Sequence, residues 1–305
     1  MLWLVIALIT AFLYALSSFL DNYLTDEFFK GRVPQALKII DGPACLIIAI
    51  ILVTYHGVFD VSPVAMLLCT ISGVLLALAD IPYYLGLRGE ESTGMTILFQ
   101  LSPIFYLLAD YLIFGETIEP TQILAFIFIL AAPFIIYLTE RRYGRRGGKL
   151  KLVSAFWIIA SVILYAFSDL LFTHGEEGFD FVSLFFYFLV GQGVASALIS
   201  LTQRRWHKRF ANVAKRNGYK FPILFIFNLL ICTATDFLYR YALIIGTAAI
   251  VSVTTNSAQL IMTFVMGIIL TRLWPKFGRE KLNKHIIRAH FIATILAIIG
   301  IVILQ

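Results

Sequence analysis

Polar residues in this chain are confined to short breaks between long apolar blocks, and no other feature limits the fold so strongly. The blocks run for about 20 residues, the length a helix needs to cross the hydrocarbon core of a bilayer. Ten can be counted, at 1–20, 37–56, 62–87, 92–113, 120–139, 152–173, 181–203, 220–243, 247–271 and 288–304. The chain is 60% hydrophobic and 14% charged, against roughly 45–50% and about 25% in an average soluble protein. That composition excludes a disordered chain and an ordinary soluble domain. The spacing predicts an all-α integral membrane protein with ten transmembrane helices. Pro82 falls near the end of the third block, and Pro103 and Pro133 interrupt the fourth and fifth. Membrane helices tolerate proline because neighbouring helices re-satisfy the carbonyls it frees.

The charges are one-sided. Of the 24 Lys and Arg residues, 23 lie in the breaks after blocks one, three, five, seven and nine or at their very edges, leaving only Arg240 deep inside a block. The other breaks hold Asp60, Glu116, Glu119, Glu176, Glu177 and Asp180 and no Lys or Arg. Basic loops stay on the cytoplasmic side, so the expectation is a plasma (inner) membrane protein with both termini on the opposite side. The formal net charge of +6 is then an orientation signal beside anionic lipid, with no nucleic-acid partner. Within 204–220, Trp206, Phe210, Val213 and Ala214 share a face among basic residues, which predicts a short interfacial helix. The first block lacks a preceding basic region and a small-residue cleavage site, and is read as a retained span. Cys45, Cys69 and Cys232 lie inside blocks, and no histidine spacing resembles a metal site, so neither disulfides nor cofactors are expected.

The chain divides at a basic, glycine-containing linker, giving a first five-helix repeat over 1–139, the linker over 140–151 and a second repeat over 152–305. Leu13-Tyr14-Ala15-Leu16-Ser17-Ser18 matches Leu164-Tyr165-Ala166-Phe167-Ser168-Asp169. Ala79-Asp80 with Tyr83 matches Thr235-Asp236 with Tyr239, and the same offset pairs Gln100 with Asn256. Five spans per repeat is odd, so the halves enter the membrane from opposite faces. Inverted repeats with a site at their interface are a recurring architecture of secondary transporters.

These residues resemble the drug/metabolite transporter superfamily, in its EamA-like ten-span group, and the resemblance covers nearly the whole chain. Its most specific piece runs from Leu101-Ser102-Pro103 to Gly115-Glu116 and on through the fifth span to Leu138. The second half departs from the pattern, with Gln259 where the proline would stand and Arg272 in place of the glutamate. The termini depart too, since family members are generally drawn with theirs in the cytoplasm. The resemblance implies a cavity lined by the first, third, fourth, sixth, eighth and ninth helices. That places Tyr14, Ser17, Asp80, Tyr83, Gln100, Tyr165, Ser168, Asp169, Asp236, Arg240 and Asn256 in or near a substrate site. It also implies that the terminal helices of each half can support a homodimer.

An ionisable group deep in a span costs roughly 2.5–3.5 kcal/mol or more, so each such residue needs a reason. Asp236 and Arg240 stand four apart on one helix and can pair directly, either as a neutralising ion pair or as a clamp for a carboxylate or phosphate. Tyr239 and Tyr241 flank them. Asp80 has no basic residue at helical spacing, and is the candidate to hold an ammonium or carry a coupling proton; the plainer reading is a neutral acid bonded to a hydroxyl. Asp169 and Asp110 lie nearer span ends, where an interfacial role fits as well. Thr254, Thr255, Asn256, Ser257 and Gln259 should face the interior. Gly191, Gly193, Ala195, Ser196 and Ala197 give span seven a small-residue surface, and Ala289, Ala293, Ala297 and Gly300 form a stripe on span ten.

The function expected is alternating-access secondary transport of a small polar metabolite, an amino acid or related amine, by proton coupling or exchange. No ATP-binding motif is present. An enzyme is not expected, because nothing has the spacing of paired catalytic residues. The alternative is a non-transporting membrane component such as a lipid flippase subunit.

Overall fold

A computed structural model of the chain describes residues 2–29, 38–58, 60–86, 98–99, 101–113, 119–143, 152–175, 178–246, 248–274 and 284–304. Every regular element among them is a helix. The helices are α1 (Leu2–Tyr23, continuing through a π-helical turn, Leu24–Phe28), α2 (Lys38–His56), α3 (Pro63–Gly86), α4 (Ser102–Ile113) and α5 (Pro120–Tyr143). They continue as α6 (Leu152–His174), α7 (Phe181–Thr202), α8 (Arg204–Asn217), α9 (Lys220–Ile245), α10 (Ala248–Leu273) and α11 (Lys284–Leu304). Among the described residues seven helices are long and apolar enough to cross a membrane. A helix satisfies its own backbone, which is what an apolar surrounding requires.

The bundle is apolar on the outside and polar within. Leu2, Ile50, Val64, Phe134, Phe156 and Leu198 are exposed, whereas Asp80, Asp169, Arg240 and Asn256 are buried. Such an expanse of exposed apolar side chains belongs in lipid rather than water.

Helix α3 packs against α6 and α7, α2 against α7, α5 against α11, and α1 against α9 and α10. Serines stitch α3 to α6. Ser72 Oγ donates to the Ser168 carbonyl at 2.7 Å, Ser168 Oγ to the Ser72 carbonyl at 2.8 Å, and Ser161 Oγ to the Ala79 carbonyl at 2.8 Å. Glycine brings α3 and α7 together. A Cβ on Gly73 would lie 2.0 Å from the Phe188 carbonyl oxygen, and one on Gly191 2.0 Å from that of Thr70. Only residues without a Cβ allow backbones that close. The small-residue surface of α7 is therefore an internal contact. Ala289, Ala293 and Gly300 of α11 are buried as well, and α11 packs on α5.

Three expectations shift. The residues drawn as a linker from 140 begin as helix, since α5 runs to Tyr143. The helix expected over 204–220 is α8, but its apolar face is covered from within. Trp206, Phe210, Val213 and Ala214 pack with Phe221, Phe225 and Phe29, with Phe210 5.2 Å from the Phe221 ring. Asp180, counted as a break charge, caps α7, accepting from the Ser183 N–H at 2.9 Å.

Candidate functional site

A cavity of about 190 Å³ lies inside the bundle, lined from α1, α2, α3, α4, α6, α7, α9 and α10. Tyr14, Ser17, Asp80, Tyr83, Tyr165, Asp169, Asp236, Arg240 and Asn256 line it as expected. Ser168 stands behind the wall, bonded to Arg240. Gln100 lies outside the described residues. At one extreme, Asp21, Lys38 and Phe225 occupy helix ends that adjoin the basic breaks. At the other, Asp169 and Arg240 lie toward the far ends of α6 and α9.

Arg240 is fully buried on α9. Its Nη2 lies 3.2 Å from Asp169 Oδ1 and donates to Ser168 Oγ at 3.1 Å, while its Nη1 is 3.9 Å from Asp236 Oδ1. The four-residue spacing thus gives Arg240 its more distant partner, and the nearer one comes from α6. This corrects the interfacial reading of Asp169, which is buried and also accepts a hydrogen bond from the Tyr106 hydroxyl. The guanidinium lies 3.8 Å over the Phe188 ring and 5.5 Å from that of Phe172. Cation–π contact of this kind is strongest where water is excluded. Around it Phe172, Phe181, Phe185, Phe188 and Phe237 pack ring on ring at 4.9–6.2 Å. Nε and Nη1 of Arg240 have no hydrogen-bond partner.

Asp80 is not without a base. Lys38, counted among the break charges, is the first residue of α2 and is buried. Its ammonium donates to Asp80 and, at 2.8 Å, to Asp41. The Tyr165 hydroxyl donates to Asp80, and Ser196 Oγ to Asp41 at 3.2 Å. Both bases therefore sit in clusters that draw on each half of the chain. The Lys38 cluster joins α2 and α3 to α6 and α7, and the Arg240 cluster joins α6, α7 and α9 through Tyr106 to α4.

A fifth carboxylate, Asp21 of α1, accepts from Asn228 Nδ2 at 2.9 Å and from the Tyr83 hydroxyl at 3.2 Å. On α10, Asn256 donates to Ser102 Oγ at 2.6 Å. Thr254, Thr255 and Ser257 are buried as expected, yet their hydroxyls have no hydrogen-bond partner. Tyr239 faces the cavity, 5.8 Å from the Tyr14 ring, whereas Tyr241 packs on Phe181 at 5.1 Å.

Lys38, Asp41, Asp21, Tyr106, Gln192 and Asn228 all line the cavity without having been singled out from the sequence. A signal existed for some. Lys38 and Asp41 are three apart at the start of an apolar run, a helical ion-pair spacing. Tyr106 stands one turn from Ser102. Asp21 fell just past the drawn end of the first block.

No family model matches the chain, and no curated protein matches it. Solved structures do. A crystal structure of a protein aligns over 100% of this chain and 95% of its own length, with a TM-score of 0.58 and 16% identity. A likeness at that identity speaks to the fold alone.

Proposed function

We propose that the chain is a secondary active transporter of a small polar solute, an amino acid or related amine, working by alternating access across a plasma (inner) membrane. The observation that carries this reading is the buried polar cavity itself: two clusters of opposite charges, each joining both halves, inside a bundle with an apolar exterior. A scaffold needs no such interior, because each buried charge is costly unless it is paired. The aromatic layer around Arg240 is the candidate gate at that end of the cavity.

The reading includes ten spans in two inverted halves, an EamA-like arrangement, with the basic breaks in the cytoplasm. Helix pairing supports it. Exchanging α1 with α6, α2 with α7, α3 with α9, α4 with α10 and α5 with α11 turns the α1–α9 contact into α6–α3, and α1–α10 into α6–α4. The α2–α7, α4–α10 and α5–α11 contacts map onto themselves. The α3–α7 contact has no comparable counterpart between α9 and α2, and the cavity lies where that counterpart would close, lined by Lys38 and Asp41 on one side and Asn228 on the other. Rocking of one half on the other would exchange these two situations.

Uptake into proteoliposomes tests the reading, using labelled amino acids and amines with and without an imposed pH gradient. Transport is expected for at least one solute and is lost in Asp80→Asn and Arg240→Ala. Accumulation driven by the gradient alone, and abolished in Asp80→Asn, would make Asp80 the coupling residue. If no solute moves, or if the folded variants keep full transport, the reading fails in favour of a non-transporting membrane component.

A further inference from the structure

The charges that line the cavity do not balance. Asp21, Asp41, Asp80, Asp169 and Asp236 face only Lys38 and Arg240, with no glutamate or histidine among the described lining residues. The excess is three carboxylates, and a low-dielectric cleft lined by one sign of charge concentrates the opposite sign. Asp41 and Asp80 share Lys38, and Asp169 and Asp236 share Arg240. Asp21 is buried and has no basic group within 4 Å among the described residues.

A second observation at Asp21 points to a missing donor. Asn228 is 4% exposed and lines the cavity. Its Nδ2 is committed to Asp21, which fixes the orientation of the amide, and its Oδ1 is buried with no hydrogen-bond partner. A buried acceptor left unmade is costly. A carboxylate with no base within 4 Å among the described residues, bonded to an amide whose oxygen has no donor, matches a group with positive charge and several N–H bonds.

The aromatic rings define what such a group is attached to. From Tyr83, which donates to Asp21, the wall runs through Phe99 at 6.0 Å to Tyr165 at 5.9 Å, and Tyr165 donates to Asp80. We propose that Asp21 and Asn228 form an ammonium subsite, and that the solute is a primary or secondary amine whose flat apolar body lies along the Tyr83–Phe99–Tyr165 wall. Both acceptors need N–H bonds, which a quaternary ammonium lacks. A bare sodium ion would use the oxygens but not the rings. The proposal deepens the transporter reading and rests on it for its purpose.

The test is calorimetric titration of the full chain in nanodiscs at neutral pH with 2-phenylethylamine. Saturable binding is expected. The uncharged isostere 2-phenylethanol and the N,N,N-trimethyl analogue should each bind about tenfold more weakly or worse, as should Asp21→Asn with the amine. Asn228→Leu should weaken the amine several-fold. The proposal is overturned if the amine does not bind, if the alcohol or the trimethyl analogue binds equally well, or if folded Asp21→Asn is unchanged. It is also overturned if sodium chloride displaces the amine where equal potassium chloride does not. Should Asp21→Asn fail to fold, the analogue series on the unmodified chain decides. Uptake of 2-phenylethylamine into proteoliposomes separates the two ideas. Binding without uptake keeps the subsite and removes the transporter, whereas uptake of other solutes without amine binding does the reverse.

Discussion

Lys38 and Arg240 are both buried bases held by two aspartates, with a tyrosine hydroxyl on one of the acids, yet they are satisfied to different degrees. The Lys38 ammonium donates to both of its carboxylates. Arg240 has five N–H donors by its chemistry, and only Nη2 donates a hydrogen bond, to Ser168 at 3.1 Å, with Asp169 as its ion-pair partner at 3.2 Å. Nε and Nη1 are unmatched, Asp236 stays at 3.9 Å, and an aromatic face takes part of the charge. The Lys38 cluster is a finished clasp between helices. The Arg240 cluster keeps donors in reserve and stands against the aromatic layer, where a moving gate would need bonds it can remake. Under the proposed mechanism, similar composition yields a structural joint at one level of the bundle and an adjustable one at another.

The largest expected effect separates the two directly. Lys38→Met leaves two buried carboxylates without a base and should cost about 3–5 kcal/mol of stability, measured by denaturant titration in mixed micelles. Adding Asp80→Asn should recover a large part of that loss. Arg240→Lys keeps the charge but gives up the fork and the ring contact, and should cost about 2 kcal/mol, the scale of a desolvated cation–π contact. A loss as large as that of Lys38→Met would erase the distinction between clasp and adjustable joint.

Gly73→Ala puts a methyl group against the Phe188 carbonyl and should cost about 1–3 kcal/mol by overpacking. Because Phe188 also carries Arg240, this variant should disturb the Arg240 cluster more than the Lys38 cluster, which a double-mutant cycle with each base would read. Ser168→Ala is the smallest change. It removes the Arg240 and Ser72 hydrogen bonds and should cost about 1 kcal/mol in thermal or chemical unfolding. No loss at all would mean that Arg240 is held by its acids and rings alone.

The helices themselves were legible because a bilayer crossing has a length, and runs of apolar residues show it. The tight α3–α7 contact was half visible in the small residues around Gly191, though its partner Gly73 was not. Lys38 was hidden for a physical reason. A lysine at the edge of an apolar run reads as a loop charge, and its burial is set by Asp80, which lies far along the chain on α3. Local spacing was likewise a poor guide at Arg240. It favoured Asp236 on the same helix, while tertiary packing brought Asp169 closer from α6. Asn228 was an unremarked amide in an apolar block, and what gives it meaning is its orphaned oxygen beside Asp21, a relation no single helix contains.

The central claim is that the cavity reaches one side of the membrane at a time. Cys232 lines the cavity, whereas Cys45 and Cys69 are buried in the packing. With those two replaced by alanine in oriented vesicles, a charged, membrane-impermeant thiol reagent can be added from either side. The account predicts that Cys232 is modified from both sides, and that a solute gradient or a bound amine which raises labelling from one side lowers it from the other. Labelling from one side only under every condition, or a parallel rise on both sides, would contradict it.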